Sequence, residues 1–350
     1  MTRRTLASLL AAGMLVVLVV LAARAPVPYV TVSPGPTLDI LGEQNGEPIV
    51  QVAGHSTYPV EGQFRLTTVS VSNPDRKVSL IEAIGGWLRD DVAVLPYEAM
   101  YPEQNSAEEE RTQSQALMVS SQDTAVAAAL DALGYELPSY AVVTGVSGGG
   151  PSDGKLKARD RVVALGEQEI TDVQGVFDAI GEYTPGAEVP VTVRRGGAER
   201  RFVIETVAAE DDPKRALIGV LVGTGYDFPF DVRLALDDSI GGPSAGLMFA
   251  LSVYDTLTPG PRTGGEVVAG TGSITPDGVV GPIGGVRQKI AAAEQVGAEV
   301  FLVPADNCAS AVHDPVEGIE LIRADDLSSA IEALETYTED PSADLPRCPA

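Results

Sequence analysis

Histidine, cysteine and tryptophan are nearly missing from this chain: two, two and one among 350 residues. The histidines, His55 and His313, have no cysteine or histidine at ligand spacing, which removes the basis for a zinc centre, and no metal is expected. Basic residues are also scarce, 24 against 49 acidic ones, for a formal net charge of −25. Such a surface repels nucleic acid and anionic lipid, so no nucleic-acid partner is expected. A phosphate-binding loop is missing too. Gly149 and Gly154-Lys155 have the glycine spacing, but Leu156 stands where a hydroxyl must meet magnesium, and no long helix follows. Neither nucleotide nor any other cofactor is expected.

Charge is absent altogether from Thr5 to Ala23, a 19-residue run rich in Leu, Val and Ala. About 20 apolar residues cross a bilayer as a helix. Arg3 and Arg4 precede the run, which keeps the N-terminus cytoplasmic and exports the rest as a single-pass cell-membrane protein. A cleaved signal peptide is the competing reading, through Ala23-Arg24-Ala25, but Pro26 would then occupy the first mature position. The two cysteines, Cys308 and Cys348, lie in the exported part, where disulfides persist. They form a disulfide candidate, with two free thiols as the alternative.

Six segments follow from composition and periodicity. Residues 1–25 are the N-terminus and anchor, 26–100 an extended segment with early strands, and 101–134 a helical connector. Residues 135–208 form a small β-domain with hairpin glycines at Gly196-Gly197, 209–340 an α/β unit, and 341–350 a Pro-rich tail. The strand at Gln63–Ser72 suits the sheet of the α/β unit, which would make the small β-domain an insertion. The fold class is therefore multidomain, α+β with α/β, behind an N-terminal transmembrane helix.

The chemistry concentrates at Gly241-Gly242-Pro243-Ser244-Ala245-Gly246 and at Lys289. The glycine-rich turn delivers Ser244 onto the first turn of an apolar helix, where free N–H groups and the dipole favour negative charge. That is the setting an oxyanion needs during acyl transfer. Pro243 has no N–H, so the backbone donors fall to Ser244 and Gly242. Taken alone, Ser244 also reads as an ordinary helix cap. Lys289 lies within the stripe Val286, Ile290, Ala293 and Val296, with Arg287, Gln288, Glu294 and Gln295 pointing elsewhere. Burial lowers a lysine pKa; reaching neutrality from about 10.4 takes about three units, or about 4 kcal/mol. A neutral amine can then accept the serine proton. A lysine snorkelling from the stripe's edge is the bland alternative. A Ser-His-Asp triad using His313 is a weaker rival, since neither histidine has a local signature.

Gly242-Pro243-Ser244-Ala245-Gly246, Gly270-Thr271-Gly272-Ser273-Ile274 and Gly281-Pro282-Ile283-Gly284-Gly285-Val286-Arg287-Gln288-Lys289 resemble the proteolytic domain of Lon peptidases, over residues 216–336. The resemblance implies Ser244 as nucleophile, Lys289 as general base and Thr271 as the lysine's support. It also implies a homo-oligomeric ring. The segment 151–163 resembles a PDZ domain, which implies peptide binding by strand addition. Anchor, PDZ-like domain and Lon-like domain together resemble the membrane-bound PDZ–Lon proteases: ATP-independent serine endopeptidases acting on flexible or unfolded extracytoplasmic proteins. Two positions depart from the family pattern. Gly241 stands where many Lon peptidases carry aspartate, and Ser273 where an acidic residue is common. These departures motivate the alternative of a catalytically silent, membrane-tethered PDZ scaffold.

Overall fold

The computed structural model describes residues 3–72, 77–101, 107–237, 240–260, 262–313 and 318–349, and the side chains of 3, 6–8 and 107–110 lie outside the described set. The run at the N-terminus is a helix, α1 (Arg3–Ala23). Among the described residues no helix is long and apolar enough to cross a membrane.

The longer elements that follow are β1 (Tyr29–Asp39), β2 (Gln63–Val71), α2 (Leu80–Trp87), β3 (Ala93–Pro96) and α3 (Ala107–Ala132). Next come β4 (Ser139–Val146), β5 (Arg161–Leu165), α4 (Val173–Gly181), β6 (Glu188–Arg195), β7 (Ala198–Glu205) and β8 (Val220–Tyr226). The last group is α5 (Gly246–Leu257), β9 (Val267–Gly270), α6 (Val286–Gln295), β10 (Val300–Pro304), β11 (Glu320–Ala324) and α7 (Leu327–Glu339).

Two sheets organise these elements. The first has the order β11-β10-β9-β2-β1-β3. β9, β10 and β11 run parallel, as α/β crossovers require, and β2 pairs parallel with β9 from Val267↔Gln63 to Gly270↔Leu66. Strands from both ends of the chain thus share one sheet. Its core is continuous with α5, whose residues Leu247, Met248, Phe249, Ala250 and Leu251 are fully buried, as expected for a helix apolar all round.

The second sheet has the order β7-β6-β5-β4-β8, antiparallel throughout, and α4 packs against it. It has its own core around Val143, Leu165, Val189, Val191 and Ile204. This small domain lies in sequence between α3 and the rest of the first sheet. The sequence-based boundary at residue 209 needs correction here. β8, read as the start of the α/β unit, pairs with β4 in the small domain, from Val220↔Val146 to Tyr226↔Ser139. Its sequence, three apolar residues followed by Gly-Thr-Gly-Tyr, carries no mark of which sheet it joins. β9 ends at Gly270, because the chain leaves the sheet at Thr271 and Gly272 to meet the segment before α5.

The Pro-rich tail is folded back. Cys308 and Cys348 are joined by a disulfide with Cα atoms 5.1 Å apart, Leu345 is buried, and the Arg323 N–H donates to the Pro346 carbonyl at 2.6 Å.

Candidate active site

Ser244 stands two residues ahead of the regular helix, correcting its expected place on the first turn. The cap of α5 is Ala245, and no side chain bonds a cap N–H. Ser244 is therefore not an ordinary capping serine. No hydrogen-bond partner for its hydroxyl occurs among the described residues. Its backbone, by contrast, is fixed. The Ser244 carbonyl accepts from the Gly272 N–H at 2.9 Å and from the Thr271 hydroxyl at 3.0 Å.

Lys289 lies on α6 with only 2% of its surface exposed. Burial pushes its ammonium down to about 8 from 10.5. Its Nζ donates to Thr271 Oγ1 at 2.9 Å. Thr271 has a single hydroxyl proton and gives it to the Ser244 carbonyl, so it can only accept from the lysine. Once neutral, the amine spends an N–H on Thr271 and keeps its lone pair for another proton. Lys289 and Ser244 are not hydrogen-bonded to each other in this conformation. Such contacts often close only when substrate is bound.

Both side chains line one groove of about 790 Å³. Its walls come from α6, from Thr68–Val71 of β2, and from Val32 and Pro36 of β1. Gln288, expected to point away, lines it too, because α6 packs across β1 and β2 and is covered on a wider arc than one stripe.

The expected oxyanion donors divide. The Gly242 N–H is committed to the Ser114 carbonyl on α3 at 3.0 Å, which removes it from that role. The Ser244 N–H meets no acceptor among the described residues. The contact that engages Gly242 also reveals what sequence reading missed: α3 clamps the turn that carries Ser244. Ser114 receives Gly242, and Ser121 Oγ donates to the Pro243 carbonyl at 3.3 Å. The two serines are seven apart and share a helix face, a signal without meaning until the facing turn is known. The same packing accounts for Gly241. A Cβ there would lie 2.2 Å from Ser114 Oγ, so any side chain at this position requires that hydroxyl to turn away.

The histidines stand outside this arrangement. His55 stacks on Phe230 at 4.4 Å between centroids and meets the Ser56 carbonyl, while His313 is exposed; neither lines the groove.

Residues 239–334 match the model of the Lon protease (S16) C-terminal proteolytic domain, and residues 117–206 match that of the PDZ domain. Lon protease 2 of Bacillus subtilis is 27% identical over 189 residues, covering 53% of this chain and 31% of that protein. The Lon protease of Phenylobacterium zucineum is 38% identical over 95 residues, covering 26% of this chain and 12% of that protein. Among solved structures, the PDZ domain of an SdrC-like protein from Listeria monocytogenes is 19% identical, with a TM-score of 0.22, over 24% of this chain and 86% of that one. The chain thus spans under a third of the length of these curated relatives. It combines a PDZ domain with a Lon-type proteolytic domain of mixed α/β build, and the matches support a serine peptidase.

Proposed function

We propose that this protein is a membrane-anchored, ATP-independent serine endopeptidase with Ser244 as nucleophile and Lys289 as general base. The observation that carries the reading is the relay from Lys289 Nζ through Thr271 Oγ1 to the Ser244 carbonyl, beside a groove that both side chains line. Ser244 Oγ attacks the peptide carbonyl while Lys289 takes its proton. The oxyanion forms against the Ser244 N–H. Lys289 returns the proton to the leaving amine, and water then releases the acyl group by the same path in reverse.

The wider assignment rests on further features. From Leu9 to Leu21 the side chains of α1 are exposed and uncharged, which supports an anchor in lipid. The Cys308–Cys348 disulfide supports an oxidising, extracytoplasmic setting. The ATP-independent reading goes with substrates that are flexible or unfolded chains, which the PDZ domain would recruit or gate. Assembly into a ring rests on the resemblance to Lon domains alone.

A fluorophosphonate probe tests the nucleophile directly. The wild-type chain is expected to be labelled at Ser244, and both Ser244→Ala and Lys289→Ala to lose labelling and peptide cleavage. An unlabelled, folded wild type, or cleavage that survives either substitution, overturns the dyad; a peptide-binding scaffold would then remain.

A further inference from the structure

Helix α2 is built inside out. Its buried residues are the small ones, Ala83 and Gly86, while Ile81, Ile84, Trp87 and Leu88 are 60%, 44%, 56% and 82% exposed. At 100° per residue these four occupy one side of the helix, opposite Ala83 and Gly86. The inner side has no room for anything larger. A Cβ on Gly86 would lie 2.7 Å from Val94 Cγ2. Little apolar area is buried by docking α2 on the sheet, yet the helix is firmly defined. Ser79 and Glu82 close a reciprocal capping box at its start.

Its position gives the exposed face an occupant. The Leu80 N–H donates to the Ala25 carbonyl at 2.9 Å, the Val27 N–H to the Val78 carbonyl at 2.9 Å, and Pro26 bridges Ser79. The start of α2 is thus stitched to the chain within two residues of the end of α1. A helix of eight residues is about 12 Å long, so no part of it lies far from the level at which α1 ends. Tyr29 packs edge-on against Trp87 at 5.6 Å, and both are side chains that favour the boundary between lipid and water.

We infer that α2 is an interfacial helix that inserts Ile81, Ile84, Trp87 and Leu88 into the bilayer surface beside the anchor. The inference rests on the anchor reading of α1. Insertion is apolar rather than electrostatic, since the chain carries a formal charge of −25 and Arg89 is paired with Asp91. It therefore needs no anionic lipid. It also fixes the proteolytic domain close to the membrane surface, because α2 packs on β1 and β3 of the sheet that walls the groove.

Trp87 is the chain's one tryptophan, so intrinsic fluorescence reads this face without labelling. The full chain is reconstituted in phosphatidylcholine vesicles with and without phosphatidylcholine brominated on its acyl chains. The expected result is a blue-shifted emission, quenched several-fold by brominated lipid and shielded from iodide. The variant I81S/I84S/L88S should still float with the vesicles and lose that quenching. Co-flotation with Trp87 unquenched and open to iodide overturns the interfacial helix and leaves the anchor intact. Shielding from iodide without lipid quenching, reversed by diluting the protein in the membrane, assigns the face to a second copy and also overturns it. Failure of the chain to float removes the anchor and this inference together.

Discussion

Replacing Lys289 by methionine should make the protein more stable and inactive at once. Burial holds the Lys289 ammonium at about 8 when folded, against 10.5 for the free side chain. At about 1.36 kcal/mol per unit, holding that proton at pH 7 costs the folded state about 3 kcal/mol. Methionine fills a similar volume, carries no charge and gives up one hydrogen bond to Thr271, worth about 1 kcal/mol. Lys289→Met is thus expected to gain about 2 kcal/mol at pH 7. The folded pKa lies below the unfolded one, so between the two values the unfolded chain binds more protons. Wild-type stability therefore rises with pH across about 8 to 10.5. The variant has no such group, and its advantage should shrink to about zero by pH 10. Urea unfolding of both proteins at several pH values, followed by circular dichroism, reads the difference. An advantage independent of pH, or a variant less stable than wild type at pH 7, would refute the picture of a desolvated lysine held for chemistry.

Three further outcomes are expected. Gly241→Ala drives a methyl group against Ser114 Oγ, 2.2 Å away, and should lower cleavage at least tenfold; adding Ser114→Gly should recover part of the rate, and no recovery would show that α3 does not set the turn. Asp160 is fully buried and held by Arg195 through two contacts of 2.6 Å, so Arg195→Met leaves a buried carboxylate with only the Lys157 N–H and no cation, and should destabilise the small domain by about 3 kcal/mol, read by its urea midpoint. Replacing Cys308 and Cys348 by serine frees a loop of 40 residues and should cost up to about 4 kcal/mol, with the wild type falling to the same stability under reductant.

What could be read from the sequence was chemistry with a local imprint. Ser244 stands out because glycines and a proline precede it and an apolar helix follows. Lys289 stands out because a charged residue interrupts an apolar stripe. The β-domain strands are legible through alternation and through the Gly196-Gly197 turn. What could not be read depends on contacts distant in sequence. Ser114 and Ser121 look like any small polar residues on a helix, and their meaning comes from a turn more than 120 residues later. The commitment of the Gly242 N–H has the same origin. β8 has good strand composition, but its partner β4 lies about 80 residues upstream and nothing local points there. Gln288 misled because a single stripe underestimates a helix laid across two strands.

The clamp on the turn that carries Ser244 has a consequence for how this molecule can be taken apart. The helix that grips Gly242 and Pro243 precedes the strands of the small antiparallel domain in sequence, and the strands that wall the groove come earlier still. Residues 209–340 on their own would lack both the grip and one bank of the groove. Dissection of this chain is therefore lopsided: the inserted part is the antiparallel sheet from β4 to β8, while the strand Asp231–Leu234 after it returns to the first core, and the leading third has to travel with the serine it steadies.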